Sequence, residues 1–248
     1  MAKTVREEAA KLRQNMDRIY DAGQKAEYDH FWDGVQRNGE RTNYANVFCY
    51  WFSDGIYPKY DISSTSYQQS FMSMGGNPLD LTERLDSCGV KLITENCTNF
   101  DYMFFSNPAI RRIPEINTTK IANLNCMFLN CINLHTVDKL ILKSDGSQKF
   151  TQTFQQCNYL ANIVVDGVIG TSLNMQWCPL TNESLISIVS CLKNYDGTDK
   201  AKSYTLTLSE ACRNALGMLW VDSIGLPLDY GGPDNLADYI DYIGWNLA

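Results

Sequence analysis

The chain holds only two histidines, His30 and His135, among 248 residues. A nucleophile and base arrangement needs a base in reach of an orienting group, and neither position suits one: His30 falls in an aromatic helical stretch and His135 beside an apolar column. No C-x-x-C pair occurs among the nine cysteines, and their odd number speaks against a closed disulfide framework. Reduced, buried thiols are the expectation. There is no G-x-G-x-x-G, Walker A, H-E-x-x-H or EF-hand pattern, so no cofactor or metal ion is expected. A basic surplus is also missing: 21 Lys and Arg stand against 28 Asp and Glu, a formal charge of −7, which disfavours nucleic acid as a partner. The opening MAKTVREEAAKLRQ is charged and leads into no apolar run, so neither an export signal nor membrane insertion is expected.

What is present begins between Phe100 and Asp166, where one pattern is written three times. Its copies are Phe100, Phe104, Asn107, Ile110, Ile113, then Leu124, Phe128, Cys131, Leu134, Val137, then Phe150, Phe154, Cys157, Leu160, Ile163, with the second column stepping by 24 and then 26 residues. Tyr67 and Phe71 suggest a degenerate earlier copy, and Leu173 and Trp177 keep the step on the far side. A unit this short cannot bury its own apolar face, and stacking buries it against its neighbours. Cys131 and Cys157 therefore read as packing residues in the position that Asn107 holds.

The segments MFFSNPAIRRIPEI, MFLNCINLHTVDKLIL and TFQQCNYLANIVVDGVIG resemble the BspA-type leucine-rich repeats. The flanks, from IYDAGQKAEYDHFWDGVQRNGERTNYANVF through LTNESLISIVSCLKNYDGT to GWNLA, resemble leucine-rich-repeat proteins encoded by phages and prophages of gut Gram-positive bacteria. The resemblance implies an α+β repeat solenoid with N-terminal helices and a helical C-terminal cap. Its expected divisions are 1–42, a helical attachment or oligomerisation segment; 43–99, an aromatic cap with the degenerate first repeat; 100–208, the repeats; and 209–248, the closing cap.

Outside the repeats, Val5, Ala9, Leu12, Met16 and Ile19 form a heptad seam on a helix from about Thr4 to Asp21. Such a seam packs either on the protein's own body or on copies of itself. Helices are also expected from Leu79 to Cys88 with Gly89 as its cap, from Thr181 to Leu192, after a Ser209 cap, and from Asp234 onward. VKLI and SYTLTLS read as strands.

Two kinds of functional residue come out of this reading. Asp229, Asp234, Asp238 and Asp241 are the one dense carboxylate group, which glycoside hydrolysis would need, although three of them suit a solvated helix face better. Beside the aliphatic columns, Arg112 and Glu115, Thr136 and Asp138, and Asn162 and Asp166 are the candidates for an exposed strand face that binds a ligand. Together with the resemblance these imply a non-enzymatic virion protein, made in the host cytoplasm without a signal peptide. It would be carried on the phage tail with other tail or baseplate proteins, and would recognise a host cell-surface receptor, glycan or protein. A homotrimer is implied by the resemblance alone. The competing expectations are an accessory scaffold that binds a protein partner and a glycan-cleaving enzyme using the C-terminal carboxylates.

Overall fold

The computed structural model describes residues 62–63, 66–72, 78–225 and 232–248. The seam residues Val5, Ala9, Leu12, Met16 and Ile19, the expected helices of the first 42 positions, the aromatic stretch from Asn43 to Tyr60, and Asp229 lie outside these.

The chain alternates short strands with turns and, later, helices. The strands are β1 (Ile62–Ser63), β2 (Leu79–Asp80), β3 (Leu92–Ile93), β4 (Ile110–Ile113), β5 (Ile116–Asn117), β6 (Thr136–Ile141), β7 (Asn162–Asp166), β8 (Leu173–Met175), β9 (Thr205–Leu208) and β10 (Asn246–Leu247). The helices are α1 (Leu81–Cys88), α2 (Asn182–Ser190), α3 (Glu210–Leu216) and α4 (Leu236–Tyr242). Each helix starts where a side chain accepts a backbone N–H of its first turn: Asp80 from Glu83, Thr181 from Ser184, Ser209 from Cys212 and Asn235 from Asp238. Gly89 ends α1 in the left-handed conformation, φ 67°, which only glycine adopts without strain. Asp80 thus begins α1 two residues later than the apolar pattern suggests, and Leu79–Asp80 is spent on a strand.

All strand pairings are parallel, in three sheets of two, three and five strands. In the largest, β6 is the long central strand, with β7 on one edge and β4 followed by β5 on the other, while β2 lies outside β4. The expected leucine-rich repeat solenoid is therefore corrected: among the described residues the parallel sheets form a curled half-barrel accompanied by four α-helices. Two breaks in the strand row account for this. Between β3 and β5 no strand pairing forms, and the link there is the Asn117 N–H donating to Thr94 Oγ1 at 2.7 Å. Beyond β7 a helix takes the place of the next strand.

That helix is α2, and it serves the edge of β7 with serines. Ile163 N–H donates to Ser184 Oγ at 2.9 Å, and Val165 N–H to Ser187 Oγ at 2.8 Å. Ser184 in turn donates to the Ala161 carbonyl at 3.0 Å. The hydroxyls stand in for the donors and acceptors of a neighbouring strand, so the edge presents no open template.

The sequence columns have a definite place in the core. The rings of Phe71, Phe104, Phe128 and Phe154 stack in order, with centroids 5.1, 5.5 and 5.4 Å apart. Tyr67 stacks on Phe100 at 5.9 Å, and its hydroxyl lies within 2.8 Å of the Ile62 and Ile93 carbonyls. Each Phe carbonyl is then met from the following segment: Asn107 Nδ2 donates to Phe71 at 2.8 Å, Cys131 Sγ to Phe104 at 2.8 Å, and Cys157 Sγ to Phe128 at 3.1 Å. Trp177 does not extend the stack, which ends at Phe154. It is half-buried, while Cys178 next to it points its thiol at the Phe154 carbonyl, at 3.9 Å.

Opposite the strands the chain is stitched a second time. Phe104 N–H donates to the Met127 carbonyl, Phe128 N–H to Thr153 and Asn130 N–H to Gln155, at 2.9, 3.0 and 2.9 Å. The turns that allow this hold Tyr102 and Ser106, Cys126 and Asn130, and Gln152 and Gln156 at φ values between 50° and 62°. Non-glycine residues are strained there, and the inter-segment hydrogen bonds offset that cost.

Candidate functional site

On the five-stranded sheet, parallel register brings one polar residue from each of four strands into a single row. Asp80 of β2 is paired with Arg112 of β4, Arg112 with Thr136 of β6, and Thr136 with Asn162 of β7. Alternation explains why they share a face: their adjacent neighbours Leu79, Ile113, Val137 and Ile163 are buried, which leaves these positions facing outward.

Arg112 is the anchor of the row. Its Nε donates to Asp138 Oδ1 at 2.6 Å, and its Nη1 lies 3.9 Å from Asp80 Oδ2. The Asp138 bond pushes the guanidinium further up from its already basic range. Asp138 accepts a second bond, from Thr82 Oγ1 of α1 at 2.8 Å, and Asp80 also caps that helix. At the other end His135, just before β6, places Nδ1 3.2 Å from Thr136 Oγ1 and 3.3 Å from Asn162 Nδ2. A planar cation held between two carboxylates, a hydroxyl, an amide and an imidazole thus lie side by side on rigid strands. They supply directional donors and acceptors, and no group among them is set up as an attacking nucleophile.

Of the six strand-face candidates, Arg112, Thr136, Asp138 and Asn162 come together. Glu115 and Asp166 do not join them. Glu115 sits at the corner between β4 and β5 and lines a separate groove. Asp166, at the end of β7, accepts from Lys139 Nζ at 2.7 Å, a contact that holds its carboxyl below the usual range and raises Lys139. Asp80, Thr82 and His135 complete the site and were missed by the reading of columns. Asp80 was hidden because a two-residue strand carries no periodicity and its position reads as the start of a helix.

The C-terminal carboxylates have local roles. Asp238 accepts from Asn235 Nδ2 at 2.7 Å in the cap of α4, Asp241 takes an ion pair from Lys202, and Asp234 is exposed, its carbonyl bonded to Val221 N–H at 3.1 Å. The thiols of Cys131 and Cys178 are pushed well up by burial, and that of Cys157 up to about 12, so they remain protonated and unreactive near neutral pH.

Among the described residues no group of three or more His, Cys, Asp or Glu is placed to hold a metal ion, and no helix is long and apolar enough to cross a membrane. Comparison of the chain with protein-family models, with characterised proteins and with solved structures yields no match.

Proposed function

We propose that this chain is a non-enzymatic protein of a phage virion, carried on the tail or baseplate, that recognises a component of the host surface, a glycan or a protein. Its binding surface is the row of Asp80, Arg112, Thr136 and Asn162 with Asp138 and His135 beside it. The observation that carries the reading is the register itself. Strands about 4.8 Å apart present four polar groups along roughly 14 Å, each fixed by a buried residue next to it in its strand. Groups held this way lose little conformational freedom on binding, which favours specificity for a repeating or extended partner. The virion assignment rests on the resemblance of the flanking segments to phage-encoded proteins.

The test is binding of the labelled full chain to host cells. Thr136→Ala combined with Asn162→Ala removes two groups of the row while leaving the Arg112 ion pairs in place. Bound label is expected to fall at least about tenfold. Retention of full binding by the double variant overturns the assignment of the row, and absence of the protein from purified particles overturns the virion reading.

A further inference from the structure

Resting on the reading of the strand-face row as the binding surface, we propose that its ligand is a glycan: an uncharged, extended polysaccharide that crosses the strands with one sugar ring to a segment. A strip of exposed apolar residues, the spacing of the segments and the charge of the row together select this class.

The strip lies in the turns that lead into the strands. Pro108, Ile132 and Tyr159 precede β4, β6 and β7, four, four and three residues ahead of Arg112, Thr136 and Asn162. Pro108 is exposed, and Ile132 and Tyr159 are 37% and 60% accessible. Hydrogen bonds hold these turns in step: Asn133 Nδ2 donates to the Pro108 carbonyl at 2.8 Å, His135 N–H to Arg111 at 2.8 Å, and Ala161 N–H to His135 at 3.1 Å. Three successive segments thus each carry a polar group on the strand and an exposed apolar group just before it.

A sugar ring has the same two aspects. Its C–H faces lie against apolar or aromatic side chains, while the hydroxyls at its edge both donate and accept hydrogen bonds. The core rings of these segments, Phe104, Phe128 and Phe154, stand 5.5 and 5.4 Å apart, a step close to the length that one pyranose adds to an extended chain. Successive rings therefore meet successive segments. A stable protein partner covers roughly 800 Å² on each side around a desolvated apolar centre, whereas the apolar side chains here stand singly among polar groups.

Charge excludes the acidic polymers. Arg112 is the fixed cation of the row, and Asp138 at 2.6 Å and Asp80 at 3.9 Å already stand against it. Two carboxylates thus face one guanidinium, on a chain of formal charge −7. A polymer of phosphates or uronic acids is repelled by this surface. An uncharged glycan meets only directional donors and acceptors.

Labelled full chain is mixed with isolated host cell walls that are untreated, digested with proteinase K, or digested and then oxidised with periodate, which cleaves the vicinal diols of sugars. Binding is expected to survive the protease, to fall at least about tenfold after periodate, and to be unchanged by soluble polyglycerol-phosphate teichoic acid as competitor. Tyr159→Ala should weaken it at least about fivefold at an unchanged urea midpoint, and Tyr159→Phe, which keeps the ring, should retain it. Binding that the protease abolishes, while Thr136→Ala with Asn162→Ala still lowers it on untreated walls, assigns the row to a protein and overturns the glycan alone. Survival after periodate, displacement by teichoic acid, or full binding by Tyr159→Ala each overturns it too. No binding to untreated walls overturns the row and the glycan together.

Discussion

A single ring shows how the core is held. Phe128 is fully buried and, like Phe104, has a stacked ring on each side and a thiol from the following segment on its carbonyl: Phe104 and Phe154 flank it, and its carbonyl accepts from Cys157. Removing it opens a cavity at the centre of a column that cannot collapse, because the hydrogen bonds between segments fix the spacing. Phe128→Ala is expected to lower the unfolding free energy by about 3–5 kcal/mol, measured by urea denaturation. The exposed Tyr159, at 60% accessibility, provides the comparison: Tyr159→Ala should cost well under 1 kcal/mol, or roughly the range of ordinary surface changes. Asn107 makes a different residue-scale point. It was placed in one column with Cys131 and Cys157, and it does reach the same kind of carbonyl, yet its Oδ1 also accepts from Ala109 and Ile110 N–H, at 3.1 and 3.0 Å. The amide serves the turn and the neighbouring segment together, which a thiol cannot.

At the scale of elements, α2 is the test of why the strand row ends at β7. Ser184→Ala with Ser187→Ala leaves the N–H groups of Ile163 and Val165 without these partners, while the Ala161 carbonyl keeps the Thr181 N–H at 2.9 Å. Each buried orphan costs about 1–3 kcal/mol. The double variant should be destabilised by several times the cost of an ordinary surface change, and its β7 edge becomes a template for other chains. Light scattering on warming should then show aggregation at a lower temperature than for the parent. Threonine at both positions, which keeps the hydroxyls, should recover most of the loss. The same element marks the limit of what was legible. The helix capped by Thr181, the burial of its stripe at Leu185, Ile188 and Val189, and the Ser209 and Gly89 caps follow from periodicity and capping chemistry and stand where expected, while the helix closes at Ser190, so that Leu192, expected as the last of the stripe, is buried beyond its end. That α2 would replace a strand was not readable, because a serine on a helix announces nothing about which backbone it will meet. The columns of Phe and Cys correctly named buried, stacked residues, but stacking of side chains does not dictate continuous strand pairing. Short strands such as β3 and β5 leave gaps that change the architecture and create the groove. For the same reason Glu115 and Asp166 were grouped with a row that register denies them.

For the whole molecule, two properties extend beyond any one element. If the heptad seam of Val5, Ala9, Leu12, Met16 and Ile19 assembles copies of the chain, the full-length protein is expected to be a trimer by light scattering and a chain beginning at Asn43 a monomer. A full-length monomer would assign the seam to the protein's own body. The buried thiols govern the second property, the dependence of stability on pH. Cys131, Cys157 and Cys178 sit in consecutive segments, and burial raises all three thiols, Cys157 to about 12. In the unfolded chain such thiols ionise near pH 8.5, or about that value. Below it both states hold the proton and the thiols contribute no pH dependence. Above it the unfolded chain releases protons that the folded chain retains, so the unfolded state binds fewer protons and stability falls as pH rises. The loss begins near the unfolded value and continues until the folded thiols themselves ionise. Urea midpoints measured at pH 7.5, 9 and 10 should therefore decline in that order. Cys157→Val, which leaves one titrating thiol fewer, should decline less steeply, even though its stability at neutral pH is lower for want of the Phe128 contact. A parent midpoint that stays constant across this range would show the thiols to be as accessible to ionisation in the fold as in the open chain, contrary to their burial.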